Sequence, residues 1–401
     1  MSPNPFPHLA LIPGPIRLLS AGVLINRAGG FVSLFLPLIL ALRGISATKI
    51  AVALAACGIF VIAGAWLGGT FASRLGGKRV IIASMAGSAL LTAALAPASA
   101  YPVTVAVVCL IALFNRAYVP AASMMVGRFA PPDQRLPMFS FFQLCLNVGV
   151  AIGSAAAGLL LTHSLTALLL IDAATTAGFA QVAHRLPAAD GPVAPITPGP
   201  APATGKLRHD HRYLVFCAAT VLVAMAYTQT RGPLPLAFRA HHYNLELMGY
   251  LFSANAVAII AFQLPLSLVT RRWPTRVPLA VGGFLMGGAY LLFAVGFSLP
   301  LLIGNVALWT AGEIVYAPAA PSAAVMMSRP GLRGTYQGAL DVARSAGQAL
   351  GPPLGVLAFA AGGSLVWWAT GALGAVAACV FWVAMRPRVQ TAAAYATEPA
   401  R

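Results

Sequence analysis

Tyr118-Val119-Pro120-Ala121-Ala122 returns 198 positions later as Tyr316-Ala317-Pro318-Ala319-Ala320, and the same offset carries Pro132, Arg135, Gly149 and Gly153 onto Pro330, Arg333, Gly347 and Gly351. The alanine matches mean little in an alanine-rich chain. The Tyr-x-Pro, the arginine and the Gly-x-x-x-Gly held in one register mean far more. A basic turn repeats with one residue fewer between its copies, Arg74, Arg79 and Val80 returning as Arg271, Arg276 and Val277. A single-residue indel of that kind is what a loop tolerates. Self-similarity over half a chain implies two like structural halves.

The residues around the repeat say where those halves sit. Of 401 residues, 59% are hydrophobic and only 8% charged, unlike a soluble globular domain. A membrane-crossing helix needs about 20 mostly apolar residues. Twelve apolar segments can be marked, at 16–41, 50–71, 80–98, 103–127, 137–161, 165–184, 213–235, 248–269, 277–297, 300–327, 334–359 and 365–385. Between the sixth and seventh, residues 185–212 are rich in Pro, Gly, Ala and Thr and end in a basic run, which reads as a flexible linker. The expected architecture is an all-α polytopic membrane protein of twelve transmembrane helices in two pseudo-symmetric six-helix bundles. The first half covers 1–184 and the second 213–388, with 389–401 as a disordered cytoplasmic tail. An apolar chain with a pseudo-twofold axis holds its working site between the halves.

Charge sets the orientation. If both termini are cytoplasmic, 18 of the 25 Lys and Arg fall on that side, 4 (Arg43, Lys49, Arg231, Arg239) on the other, and Arg27, Arg116 and Arg344 inside spans. The bias places both termini in the cytoplasm, with the protein in the plasma (inner) membrane. The net charge of +17 is spread between apolar segments rather than gathered on one face, which argues topology and against nucleic acid. The five cysteines all lie in apolar segments without paired spacing, so neither a disulfide framework nor a metal site is implied. The Pro-rich N-terminus leads into an apolar stretch too long for a secretory signal, and that stretch reads as a retained first span.

The turn between the second and third segments is Gly69-Thr-Phe-Ala-Ser73-Arg74-Leu-Gly76-Gly77-Lys78-Arg79. It resembles the signature loop of the major facilitator superfamily, to which this chain is similar over nearly its whole length. Gly69, Arg74, Gly76, Lys78 and Arg79 match the pattern Gly-x-Leu-Ala-Asp-Arg-x-Gly-Arg-Arg/Lys, while Ser73 stands where that family has Asp and Gly77 replaces a base. The family's Asp helps latch the two halves. Ser73 is able to cap a helix end but carries no charge, and the bare alternative is a positive-inside turn with no gating role. Leu113-Phe-Asn115-Arg116-Ala-Tyr118 resembles the Arg-bearing fourth helix of the drug:proton antiporter branch. Gly149-x-x-x-Gly153-Ser154 resembles that branch's Gly-x-x-x-Gly-Pro, with Ser154 for Pro; its repeat copy, Gly347-x-x-x-Gly351-Pro352, keeps the Pro. Small residues four apart let helices approach closely. Gly312-Glu313 and Pro318 resemble a segment of some drug-exporter-like members.

Inside the spans lie three carboxylates, Asp172, Glu313 and Asp341, and three arginines, Arg27, Arg116 and Arg344. Unpaired, these six would together cost roughly 15 kcal/mol or more at about 2.5–3.5 each, so pairing is expected. Arg27 and Asp172 fall at similar depths, and Asp341 and Arg344 are i,i+3 neighbours. That leaves Arg116 facing Glu313 across the halves, both about 13 residues into their helices. The three carboxylates are the candidates for carrying protons. By the resemblance, the first, fourth, seventh and tenth helices line a central cavity, which brings in Arg27, Arg116 and Glu313. Asn26, Asn115, Gln229, Asn255, Gln263 and Trp309 are further candidates for touching substrate, and any of them is equally able to serve only in packing. Tyr227 is a candidate aromatic wall.

The reading is a transporter that works by alternating access, exchanging protons for small apolar or amphipathic compounds. The alternatives are a uniporter or symporter for an amphipathic acid drawn to Arg27 and Arg116, or a sensor that binds without transporting. Expected partners are the lipid bilayer, a small-molecule substrate and protons, with the protein acting as a monomer. No cofactor, metal or enzymatic constellation is indicated.

Overall fold

The computed structural model describes residues 12–98, 100–131, 135–187, 209–270, 273–328 and 333–385. Among them all regular structure is helical. The first half holds α1 (Gly14–Ala28), α2 (Val32–Leu42), α3 (Ala47–Leu75), α4 (Gly77–Leu95), α5 (Tyr101–Phe129), α6 (Arg135–His163) and α7 (Leu165–His184). The second holds α8 (His211–Tyr227), a 3-10 turn (Thr228–Arg231), α9 (Pro233–Ala240), α10 (Leu245–Thr270), α11 (Arg276–Gly288), α12 (Leu291–Val295), α13 (Leu299–Met327), α14 (Arg333–Gly362) and α15 (Leu365–Ala384). The sequence boundaries of most spans agree to within a few residues. Most of the linker and all of the tail at 389–401 lie outside the described residues.

Among the described residues ten helical stretches are long and apolar enough to cross a membrane. The first and eleventh segments complete the set by position. The first is broken at Gly29-Gly30 into two shorter helices, α1 and α2. The eleventh, α14, is 30 residues long but carries Asp341 and Arg344 along one face.

The sequence pattern implies single helices for the first and seventh segments, and the structure corrects both. Gly29 lies so close to α7 that a Cβ there would collide with the Thr175 side chain, and α2 starts anew at Val32. The seventh segment unwinds after Tyr227 into the 3-10 turn and restarts at Pro233 beyond Gly232, whose backbone abuts Pro352 of α14. Proline suits the first position of a helix, where its missing N–H has no partner to lose. Both halves therefore carry a Gly-interrupted helix at corresponding places, which in transporters built from repeats marks the binding region.

The two halves repeat one packing scheme. In the first, α3 and α4 pack on α5, α4 packs on α7, and α1 packs on α6 and α7. In the second, α10 and α11 pack on α13, α11 packs on α15, and α8 packs on α14 and α15. Between halves, α6 meets α10 and α3 meets α14, again a symmetric pair. The Gly-x-x-x-Gly copies serve the same joint in each. Gly149 and Gly153 bring α6 onto Leu24, Arg27 and Ala28 of α1, and Gly347 and Gly351 bring α14 onto Val221, Met225 and Thr228.

The joints between halves concentrate away from the termini. The Ser253 hydroxyl donates to the Ala151 carbonyl at 2.6 Å, Gly249 lies on Ser154 and Gly158, and Gly58 on Ala349. The α2 and α9 pieces meet there too, and Phe35 reaches Phe252 at 6.3 Å. One apolar core runs through both halves at this end, whereas the core around Ile16, Met85, Tyr118 and Phe179 belongs to the first half alone. Nearer the termini, Asp341 is 71% exposed although it acts electrostatically on Arg116 of the other half.

Candidate functional site

The break in the first span is held by a short polar chain. Asn26 donates to the Thr176 hydroxyl at 3.0 Å, Thr176 donates to Oδ1 of Asp172 at 3.3 Å, and Oδ2 of Asp172 accepts the Val32 amide at 3.0 Å. The expected Arg27–Asp172 ion pair is not formed. Interrupting the helix frees the first N–H groups of α2, and a buried carboxylate is well satisfied by a helix N-terminus. Arg27 instead donates to the Tyr118 hydroxyl at 2.9 Å. Its guanidinium carbon lies 5.9 Å from the Tyr118 ring centroid, and its Nε is buried without a hydrogen bond.

Glu313 also departs from expectation. Its Oε1 accepts the Tyr227 hydroxyl at 3.1 Å and its Oε2 accepts from Asn255 at 3.4 Å, while Asn255 also donates to Thr310 at 2.9 Å. The expected ion pair with Arg116 is not formed. The partners are neutral and come from the same half, because α8, α10 and α13 converge at this level. Trp309 stands one helical turn away, its ring 5.7 Å from Tyr227 and 6.3 Å from Phe252.

Arg116 is half-buried on α5. It feels the charges of Arg27 in its own half and of Asp341 and Arg231 in the other. Arg231 acts on Glu313 as well. The charge count assigns Arg231 to an outer loop, whereas the structure sets it in the 3-10 turn in the middle of a broken span. The clue was present as Gly232-Pro233. The expected Asp341–Arg344 pair is formed, at 3.8 Å.

The remaining candidates scatter. Asn115 accepts the Ser88 hydroxyl at 3.2 Å, a contact between α5 and α4. Gln229 donates to the carbonyls of Met225 and Gly351 at 2.8 and 3.2 Å, tying the second break to α14. Gln263 lies two turns beyond Asn255 on α10, away from the polar groups above. Tyr227 as the donor to Glu313, and Thr176 and Thr310 as bridges, were not singled out by sequence.

In the turn between α3 and α4, Gly76 takes φ +88°, a backbone that side chains disfavour. Ser73 does not cap a helix. It sits in the last turn of α3 and donates to the Thr70 carbonyl at 2.8 Å. Lys78 donates to the Leu186 carbonyl at 2.6 Å, while Arg74 and Arg79 are exposed and Gly69 faces Pro120. In the second half, Arg276 makes the analogous tie, its guanidinium 4.6 Å from the Trp382 ring on α15.

Two symmetric helix breaks and charges within the spans, set in a pair of repeated bundles, are the anatomy of a transporter. The family model of the Major Facilitator Superfamily matches residues 18–238 and 216–400. The chain belongs to that superfamily. Its sequence is 23% identical over 323 residues to the uncharacterized MFS-type transporter YqjV of Bacillus subtilis, covering 79% of this chain and 78% of that one. It is 24% identical over 334 residues to the multidrug resistance protein MdtH of Klebsiella pneumoniae, covering 80% and 81%. Among solved structures, the nucleoside transporter NupG superposes with a TM-score of 0.78 at 14% identity, over 94% of this chain and 100% of that one. The peptide transporter POT in complex with sulfate gives 0.76 at 15% identity, over 93% and 94%. The protein is thus a multi-pass membrane transporter of the MFS type.

Proposed function

We propose that this transporter exports small apolar or amphipathic compounds in exchange for protons, and that Glu313 carries the proton. The observation behind this reading is how Glu313 is held. A carboxyl near the middle of a span, kept by a hydroxyl and an amide rather than by a fixed cation, gains or loses a proton without breaking an ion pair. A charge in that position otherwise costs about 3 kcal/mol or more, so its retention calls for a function. The likeness to a multidrug resistance protein supports the substrate class.

The termini face the cytoplasm in this reading. Moving Arg231 into a span leaves only Arg43, Lys49 and Arg239 on the far side, which sharpens the charge bias. The conformation described, with its joints between halves gathered at the far end and Asp341 exposed nearer the termini, is then the inward-facing one. Substrate enters from the cytoplasm while Glu313 releases its proton. Closing of the gap near Arg116 and Asp341 and parting of the α6–α10 and α3–α14 joints then turn the site outward. The protein acts as a monomer, since each chain holds both halves of the site.

The test is transport in proteoliposomes with an imposed pH gradient, using substrates found by an efflux panel in a pump-deleted host with and without a protonophore. Glu313→Gln should abolish gradient-driven transport. Undiminished driven transport by that variant would sink the proposal.

A further inference from the structure

The last span of each half is fastened at the same point by different residues. In the first half Lys78, at the start of α4, donates to the Leu186 carbonyl just beyond α7 at 2.6 Å. The 198-residue offset carries Leu186 onto Ala384. The Ala384 carbonyl, at the end of α15, is taken by Nε of Arg212 from α8. The base at the start of α11 is therefore not needed there. Arg276 instead stands with its guanidinium carbon 4.6 Å from the Trp382 ring centroid. Its Nε is buried without a hydrogen bond, and it joins no ion pair among the described residues. The same offset sets His184 in the place of Trp382, so the aromatic partner belongs to the second half alone.

This corner faces lipid. The helices α11 and α15 pack on each other and on α8, α12, α13 and α14, all elements of their own half. Phe284, Val376 and Val383 on them are more than half exposed. Trp382 is 42% exposed two residues before the end of α15, and Trp273 is 41% exposed just ahead of α11. Tryptophan gathers at that level of a span, where headgroups meet the acyl chains. The stretches 271–277 and 385–388 hold five arginines and no Asp or Glu. A guanidinium matches phosphate through paired hydrogen bonds, and basic pockets between membrane helices take anionic headgroups. Helix packing accounts for Arg212, whose Nε is spent on the end of α15. It does not account for Arg276, which has a ring beneath it and no acid.

We propose that Arg276 and Trp382, with Arg212 on the same last turn of α15, form a binding site for the phosphate of an anionic phospholipid, whose acyl chains lie along α11 and α15. The site is apart from Glu313 and does not depend on what the protein transports. The lipid phosphate completes in the second half the fastening that Lys78 makes unaided in the first.

The experiment titrates the full chain, purified in detergent and freed of lipid, with phosphatidylglycerol or with phosphatidylcholine of the same acyl chains, and counts bound lipid by native mass spectrometry. Phosphatidylglycerol should bind about fivefold more tightly or better, the contribution of one arginine near a membrane surface. Arg276→Gln should weaken phosphatidylglycerol about fivefold and leave phosphatidylcholine unchanged, with Arg276→Lys recovering part of the loss. Arg79→Gln removes the repeat counterpart of Arg276, which is exposed, and should change the affinity little. Equal affinity for the two lipids overturns the proposal, as does undiminished phosphatidylglycerol binding by Arg276→Gln. An equal loss in Arg79→Gln overturns it as well, because diffuse surface charge then explains the binding. Displacement of phosphatidylglycerol by millimolar inorganic phosphate at constant ionic strength would assign the corner to a free anion and not to lipid. If Arg276→Gln does not fold, the ranking of the two lipids on the native chain and the phosphate competition decide.

Discussion

The Tyr227 hydroxyl reaches Oε1 of Glu313 at 3.1 Å, joining the break in the seventh span to the carboxyl of the tenth. Tyr227 is the last residue of α8, immediately before the 3-10 turn that carries Arg231. The bond to Glu313 is therefore made at the point where α8 gives way to α9, and α9 is one of the pieces that meets the other half at the far end.

This link predicts graded effects at its two donors. A hydrogen bond to a charged group is worth about 1.5–3 kcal/mol, so Tyr227→Phe should slow gradient-driven transport by about tenfold or more. Asn255→Leu should do likewise and also remove the donor to the Thr310 hydroxyl, which keeps its own bond to the Val306 carbonyl. Neither should match Glu313→Gln, which removes the proton carrier itself. Initial rates in proteoliposomes under one fixed pH gradient measure all three. Tyr227→Phe at native rates would detach the hydroxyl from the transport cycle.

Asp172 should divide according to whether its replacement still accepts hydrogen bonds. Asp172→Asn keeps an oxygen for the Val32 amide and should stay near native stability. Asp172→Leu leaves that buried amide and the Thr176 hydroxyl without their acceptor, at a cost of about 1–3 kcal/mol. Thermal unfolding in detergent should show the leucine variant melting several degrees lower and the asparagine variant nearly unchanged. Comparison of driven transport in the asparagine variant then tells whether Asp172 also carries a proton.

The two glycine joints should respond alike. A Cβ at Gly153 would press on the Arg27 and Ala28 carbonyls, and one at Gly351 on the Met225 carbonyl and Thr228. Overpacking of this kind costs about 1–3 kcal/mol, so Gly153→Ala and Gly351→Ala should each lower the melting temperature, whereas Gly338→Ala, with open space around it, should not. A melting temperature unchanged in both joint variants would remove these glycines from the helix contacts.

The repeat made the architecture legible because it records packing. The Gly-x-x-x-Gly copies sit at the same joint in both halves, and Lys78 and Arg276 fasten corresponding helix ends, while Arg271 lies outside the described residues. Charge pairing was read less well. Depth along a helix placed Arg27 level with Asp172 and Arg116 level with Glu313, but depth assumes continuous helices. Once Gly29-Gly30 and Gly232 interrupt their spans, free backbone N–H groups compete for Asp172, and Arg231 moves from a loop into the site. The i,i+3 pair of Asp341 and Arg344 was legible because it depends only on its own helix. Tyr227 was legible only as an aromatic wall and not as the donor to Glu313, because nothing local distinguishes a tyrosine that donates to a distant carboxyl from one that only packs.

The basic turn offers a last separation, between a residue that fastens and residues that face solvent. Lys78 donates to the Leu186 carbonyl just beyond α7 at 2.6 Å, closing the terminus end of the first half as the Arg276–Trp382 contact closes the second. Arg74 and Arg79 are exposed in the same turn. A charged donor on a backbone carbonyl contributes about 1.5–3 kcal/mol, so Lys78→Met should lower thermal stability measurably. Arg74→Gln and Arg79→Gln should leave it within about 0.5 kcal/mol, as surface substitutions do. If those two arginines serve the transport cycle, their variants will slow driven transport while melting at the native temperature. If they serve only orientation, purified and reconstituted protein will transport at the native rate, and the defect will appear instead in the amount of correctly inserted protein.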